Sequence, residues 1–352
     1  MKGLVKGKIK SILPMLIIGA VSLFASVILV FVNTRDIWFY DTNDYCITYF
    51  MERIFLHLYW LPFVLIGLAI AMGLVLTQEY GNPEQEAFVA GLPFKKRDRY
   101  LATVLPGLLF FVVFTVVLVV AVIISHSISY EFFYEIYMFN PEYELLLSLD
   151  SVGNAVMRIL QIMFAAIMIY AITIFAGFLG RHKAVSVFVI MMIIVFPIAI
   201  IPAIHKLVGE EGILYNVQMY SSLIGLFEDA GGTEYDCNVY YFFEYLIERT
   251  ITTGILSVVY LVAGVFAANM KDRSSGKILV GKYCDRVFIV IAGIYAALLV
   301  VLFKDIIDLS MGVIVVLMFV IMSVTIFLLY RYVSNGKKYD YLNKKEGTKD
   351  EE

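Results

Sequence analysis

The chain has few charged residues for its length. Of its 352 residues, 16% are Asp, Glu, Lys or Arg, whereas 61% are hydrophobic and the mean hydropathy is +0.86. An ordinary soluble domain has about 25% charged residues. Even a soluble domain of about 300 residues leaves roughly a quarter of its unfolded surface in contact with water. The composition therefore excludes a soluble globule and predicts a protein embedded in lipid.

Residues for metal binding and catalysis are also scarce. The three cysteines and four histidines are scattered, with no spacing typical of a metal site. The sequence contains neither H-E-x-x-H nor G-x-S-x-G. One phosphate-loop spacing begins at Gly276, but Tyr283 stands where a Ser or Thr would hold magnesium. We therefore expect no catalytic activity, no metal and no cofactor in this chain.

Long apolar runs are what the sequence has instead. A run of about 20 apolar residues crosses about 30 Å of hydrocarbon as a helix, and a helix satisfies its own backbone hydrogen bonds there. Residues 1–330 are predicted to form the transmembrane domain of an all-α integral membrane protein, a polytopic helical bundle. We expect about eight transmembrane helices, with six as the alternative. The candidate spans are 12–32, 54–77, 101–124, 155–179, 184–204, 251–268, 287–303 and 311–330.

The basic residues fall mostly on one side of these spans. If the N-terminus is inside and all eight runs cross, 21 of the 27 Lys and Arg residues lie in the inside stretches. Such an asymmetry is the positive-inside rule, so we expect both termini in the cytoplasm. The last residues, 331–352, mix both charge signs without periodicity and are predicted to form a disordered cytoplasmic tail.

One basic residue lies well inside a predicted span. Asn154, Arg158 and Gln161 are spaced four and three residues apart, which places them on one helical face. An ionisable residue in a membrane span indicates a functional site, here a polar substrate path. Alternatively, Arg158 extends its side chain to the outer membrane surface. The sequence leaves both interpretations open.

The inside loop 78–100 has the clearest local pattern. An amphipathic helix is predicted over 82–92, where Asn82 is the N-cap residue and Phe88 and Leu92 share an apolar face. A basic cluster follows the helix immediately. Such a helix either lies on the membrane surface or binds a soluble partner.

The same loop combines an acidic start, a glycine, a Leu-Pro pair and the basic cluster that leads into the third span. In this combination it resembles the cytoplasmic loop of permease subunits of bacterial type-2 ABC exporters. The resemblance implies that the helix is a coupling helix that docks on an ATPase subunit. The residues assigned to docking are Glu79, Gly81, Glu86, Phe88, Leu92, Pro93, Lys95, Lys96 and Arg97.

The resemblance also implies the partners and the location. A permease of this kind works with a dimer of ABC ATPase subunits, which bind the ATP, and with a second permease subunit. It is a multi-pass protein of the bacterial cytoplasmic membrane, in contact with lipid and without nucleic acid. Its substrate is an amphiphile, a peptide antibiotic or a lipid. The alternative is an ATPase-independent transporter or channel, or a membrane-embedded sensor.

Overall fold

The computed structural model describes residues 2–36, 58–81, 91, 93–138, 148, 150–194, 246–269, 278–280, 283–302 and 311–347. Within this part of the chain the protein is about 92% helical and contains no strand, which confirms the all-α prediction. The helices are α1 (Lys2–Ser11), α2 (Leu13–Asp36), α3 (Leu61–Leu76), a 3₁₀ helix (Gln78–Gly81), α4 (Lys96–Met138), α5 (Val152–Leu179), α6 (Lys183–Ile194), α7 (Leu246–Asn269), α8 (Cys284–Leu302) and α9 (Met311–Gly347).

Among the described residues, five helices are long and apolar enough to cross a membrane, so the protein is membrane-embedded. Two shorter apolar helices, α3 and α6, coincide with the second and fifth predicted spans, whose remaining residues lie largely outside the described part of the chain. The count of eight spans stays a prediction. The five segments are Leu13–Val32, Lys96–Glu131, Val152–Leu179, Leu246–Asn269 and Val313–Arg331.

The last helix corrects one expectation. We expected disorder from Arg331 onward, but α9 continues without a break to Gly347. Mixed charge without periodicity is therefore also compatible with a helix. The prediction of disorder from charge composition is wrong for residues 331–347. Residues 348–352 lie outside the described part of the chain.

Helix α4 is also longer than its predicted span, since it runs from Lys96 to Met138. Beyond Ile124, the Ser127 hydroxyl donates to the Ile123 carbonyl at 2.8 Å. One turn further, the rings of Tyr130 and Tyr134 stack with centroids 5.9 Å apart. The helix thus continues to Met138 after the apolar run has ended.

The chain divides into two compact units. Unit 1 consists of Met1–Leu76, Arg97–Ile172 and Val217–Val262, and unit 2 consists of Thr77–Lys96, Thr173–Asn216 and Ala263–Glu352. In unit 1, the fully buried Tyr170 of α5 lies on α4, where its hydroxyl donates to the Val104 carbonyl at 3.0 Å. A Cβ atom at Gly107 would overlap the Tyr170 ring, so the glycine permits this close approach.

Helix α1 fixes the end of α3 within unit 1. The Lys8 side chain is 5% exposed, and its Nζ donates to the Leu76 carbonyl at 2.7 Å. A cation at this position balances the partial negative charge of a helix C-terminus. The last turn of α3 is thereby held immediately before the predicted docking loop.

In unit 2, α8 packs along α9. A Cβ atom at Gly293 would lie 2.6 Å from Ile326 Cγ1, which shows how closely the two helices approach. Phe188 of α6 meets Phe288 of α8 edge to face, with ring centroids 5.6 Å apart. Aromatic pairs in this geometry are favourable beyond the area that they bury.

Candidate functional site

The segment that enters the predicted docking loop is held against the end of α5. Thr77 is 3% exposed, and a Cβ atom at Gly177 would overlap its side chain. Three residues on, the rings of Tyr80 and Phe178 lie with centroids 4.4 Å apart, and both are buried. The 3₁₀ helix Gln78–Gly81 therefore rests on the last turn of a membrane-crossing helix.

A tight turn follows α5, and a distant segment pairs with it. The Val280 amide donates to the Leu179 carbonyl at 2.8 Å, and the Arg181 amide donates to the Ile278 carbonyl at 3.1 Å. These two bonds form an antiparallel bridge between Gly180 and Leu279. The bridge joins the α5–α6 turn to the segment that precedes α8.

Asp285, in the first turn of α8, fixes the other side of that segment. Its carboxylate Oδ1 accepts hydrogen bonds from the amides of Ile278 at 3.1 Å and Leu279 at 2.7 Å. Asp285 is only 5% exposed, and bonds to a charged acceptor are stronger than neutral ones. The carboxylate thus anchors the bridge to α8.

The phosphate-loop spacing that begins at Gly276 does not form a phosphate site in the described residues. A phosphate loop presents free backbone amides to its anion. Here the amides of Ile278, Leu279 and Val280 already donate to protein oxygen atoms. The side chains of these three residues are also at least 95% buried. Residues 276, 277, 281 and 282 lie outside the described part of the chain.

We call this arrangement the inner platform: Thr77–Gly81, the α5–α6 turn, residues 278–280 and Asp285. All of it belongs to unit 2. The sequence did not indicate Thr77, Gly177 or Asp285 as functional residues. An acidic residue in the first turn of a helix does not by itself indicate a function. The hydrogen-bond partners of Asp285 can be identified only in the folded structure.

The docking residues predicted from the loop are only partly described. Glu79 is half-buried in the 3₁₀ helix, and Gly81 ends that helix. Glu86, Phe88 and Leu92 lie outside the described residues, as do the other positions of the predicted helix 82–92 except Gly91, which is helical. The residues that follow the predicted helix are exposed: Pro93, Lys95, Lys96 and Arg97.

The predicted polar face of α5 lies in unit 1, and the fold brings two of its three residues together. Arg158 is 5% exposed and its Nη1 donates to Gln161 Oε1 at 2.7 Å. The guanidinium is therefore buried beside Gln161 and does not extend to the protein surface. Asn154, one turn earlier in α5, donates its Nδ2 to the Ser148 carbonyl at 3.1 Å.

Within the described residues, no group of three or more His, Cys, Asp or Glu side chains could hold a metal ion. Comparisons with known proteins give no family for this chain: no family model, no curated protein and no solved structure matches it. The function is therefore inferred from the sequence and from the geometry of the inner platform and the α5 pair.

Proposed function

We propose that the protein is the membrane-spanning permease subunit of an ATP-binding-cassette exporter. It moves an amphiphile, a peptide antibiotic or a lipid across the cytoplasmic membrane of a bacterium. A separate dimer of ATPase subunits hydrolyses the ATP, and a second permease subunit completes the complex. One observation supports this function best. Residues Thr77–Gly81, which lead into the loop that resembles a coupling helix, pack against the last turn of α5.

This packing connects a partner bound at the loop mechanically to the membrane helices. A four-residue 3₁₀ helix connects the loop to the last turn of α5 through Thr77 and Tyr80. Closely packed side chains are poorly compressible, so a displacement of the loop would move α5 with it. The bridge to residues 278–280 and the Asp285 carboxylate would pass the same displacement to α8.

This path fits transport driven by a separate ATPase. When two ATPase subunits close on ATP, docked helices on the permease move with them, and membrane helices change packing as rigid bodies. Lys95, Lys96 and Arg97 remain exposed beside the loop, where they can contact acidic partner residues or lipid phosphates. The chain itself needs no nucleotide site for this role.

Charged substitutions on the apolar face of the coupling helix test the proposal. The double substitution Phe88→Glu and Leu92→Glu should abolish co-purification of the ATPase, because a docking helix binds through its apolar face. The measurement is the molar ratio of ATPase to permease after mild detergent extraction and affinity purification. The conservative pair Phe88→Leu and Leu92→Met is the matched control and should retain the ATPase.

Membrane insertion must be unchanged in all variants, and protease protection of the reconstituted protein reports on that. If the double glutamate variant retained the ATPase, the ATPase would not dock through Phe88 and Leu92. Full transport by the purified chain without any ATPase would contradict the proposal and would indicate an ATPase-independent transporter or channel.

A further inference from the structure

The N-terminal helix α1 presents two different faces. The Lys8 side chain is buried and donates to the Leu76 carbonyl at the end of α3. Lys6 and Lys10 lie two residues to either side of it, about 200° around the helix, and both are exposed. Because these two lysines are four residues apart, they share one face. The helix therefore contacts α3 through one lysine and turns two others outward.

The exposed face of α1 continues into α2. Only Ile12 separates the two helices, and helical hydrogen bonds run through it, since its amide donates to the Lys8 carbonyl at 3.3 Å and its carbonyl accepts from the Leu16 amide at 3.0 Å. After Lys10, the exposed positions on this face are apolar and are spaced three and four residues apart. They are Leu13, Ile17, Val21 and Phe24, which are 50–68% exposed. We call Lys6, Lys10 and these four residues the outer stripe.

The opposite side of the same helices is buried in unit 1. The buried positions that follow Lys8 are spaced as on one helical face, and they are Ile12, Gly19, Ser22, Ser26 and Val30. A Cβ atom at Gly19 would overlap the Phe110 ring of α4. The outer stripe is therefore the side of α1 and α2 that faces away from the packed interior.

The outer stripe has the length of one membrane lipid. From Leu13 to Phe24 a helix rises about 16 Å, at about 1.5 Å per residue. One leaflet provides about half of a hydrocarbon core that is about 30 Å thick. The apolar part of the stripe therefore matches an acyl chain, and the lysines lie beyond its end, at the level of a headgroup. This end is open, because a Cβ atom at Gly3 or Gly7 would meet no described atom within 4 Å.

Another exposed basic pair lacks this combination. Lys95 and Lys96 precede the apolar run of α4, but no apolar side chain is exposed over residues 97–108, all of which the structure describes. The first exposed apolar side chain after them is Leu109. A lipid phosphate at this pair would have no exposed apolar stripe beside it for its chains. The outer stripe differs because it combines the charge with the apolar surface.

The charge of the stripe favours a lipid over a second copy of the chain as its occupant. A symmetric contact through the outer stripe would bring Lys6 and Lys10 of two copies together, and like charges repel. An anionic lipid supplies the opposite charge. Anionic lipids of the cytoplasmic leaflet attract basic residues next to a membrane helix, and the N-terminus is predicted to lie on that side.

We propose that the outer stripe binds an anionic phospholipid, with the phosphate at Lys6 and Lys10 and an acyl chain along the apolar residues from Leu13 to Phe24. Each ammonium group donates hydrogen bonds to the phosphate oxygens. Lys8 of the same helix holds the end of α3, so α1 connects a bound lipid on one face to the protein on the other. The site is separate from the loop that is proposed to dock an ATPase.

Photo-crosslinking from the middle of the stripe tests this assignment. Ile17 is replaced by p-benzoylphenylalanine in the full chain, which is reconstituted without any ATPase. The vesicles contain equal parts of phosphatidylglycerol and phosphatidylcholine with the same acyl chains, and mass spectrometry measures the ratio of the two lipid adducts. The ratio should favour phosphatidylglycerol about fivefold or more, the preference expected for a basic residue at an anionic surface. At Val259, which is 52% exposed in the middle of α7, the same probe should give both adducts equally.

Replacement of the two lysines is the diagnostic change. Lys6→Gln with Lys10→Gln should make the two adducts at residue 17 about equal, because glutamine carries no charge for the phosphate. Lys6→Arg with Lys10→Arg keeps both charges and should retain the preference. The matched control is Lys95→Gln with Lys96→Gln, which removes the same net charge from the chain and should leave the ratio unchanged.

Several results would overturn the assignment. These are equal adducts with both lysines present, an unchanged preference after both become glutamine, and crosslinks from residue 17 chiefly to a second copy of the chain. An equal loss of preference in the Lys95 and Lys96 control would also overturn it, because net charge and not the stripe would then set the ratio. No ATPase takes part, so the outcome is independent of the coupling-helix test.

Discussion

Replacing Asp285 with Ala is expected to destabilise the protein by about 3–5 kcal/mol, because two buried amides lose their charged acceptor. The Ile278 and Leu279 amides bond only to this carboxylate in the described hydrogen-bond network, at 3.1 and 2.7 Å. Both residues are at least 95% buried, so water cannot replace the lost acceptor without opening the segment. The bridge to the α5–α6 turn should open in the same step.

Thermal unfolding followed with a thiol-reactive dye measures this effect. In a Cys46→Ser, Cys237→Ser background, the dye reports on Cys284, which precedes Asp285 directly and is partly exposed. Burial, with a smaller contribution from Asp285, raises the pKa of the Cys284 thiol. Removal of Asp285 should therefore lower that pKa and speed labelling of the folded protein at a given pH. The midpoint temperature, and not the labelling rate, is the measure of stability.

Two controls separate loss of the acceptor from loss of charge. Asp285→Asn keeps an acceptor oxygen without the charge and should cost about half as much as Asp285→Ala. Asp98→Ala removes a half-buried carboxylate from the first turn of α4 and should cost about 1 kcal/mol or less. Equal midpoints for Asp285→Ala and the wild type would show that the carboxylate does not anchor the platform.

Gly177→Ala is expected to disrupt the contact between α5 and the docking loop. The added Cβ would overlap the Thr77 side chain, which is buried. Overpacking of this kind costs about 1–3 kcal/mol. In the complex with the ATPase, ATPase binding should remain, whereas stimulation of ATP hydrolysis by the permease should fall, because the loop no longer moves with α5.

A size exchange tests whether the Thr77 contact itself is responsible. Thr77→Gly removes each of the atoms that a Cβ at residue 177 would meet. The double variant Gly177→Ala, Thr77→Gly should therefore be more stable than the sum of the single effects predicts, with a coupling energy of about 1 kcal/mol or more. Strict additivity in this double-mutant cycle would contradict direct packing between the two positions.

Local sequence patterns predicted the helices well, because long apolar runs have few alternatives in lipid. They also placed Arg158 and Gln161 on one face, since their spacing fixes that geometry in any helix. Periodicity did not indicate the hydrogen bond from Asn154 to the Ser148 carbonyl, because Asn154 lies in the first turn of α5 and bonds to a residue before the helix. Helix termini offer such partners, and periodicity does not describe them.

The inner platform could not be predicted in the same way. Gly180 and Leu279 are about 100 residues apart in the sequence, and no periodicity connects them. The same holds for Thr77 and Gly177, whose contact depends on the packing of two helices. The prediction for the tail was wrong for another reason: mixed charge was interpreted as disorder, although charge composition alone does not exclude a helix.

Photo-crosslinking from the docking loop tests directly whether this loop binds an ATPase subunit. Phe88 is replaced by p-benzoylphenylalanine in the full chain, and the protein is irradiated in its native membrane. The control position is Tyr59, which precedes α3 and is 65% exposed. Docking on an ATPase predicts an adduct with an ATP-binding-cassette subunit from position 88 and none from position 59. Adducts from position 88 that contain only lipid, or proteins without a nucleotide-binding sequence, would contradict it.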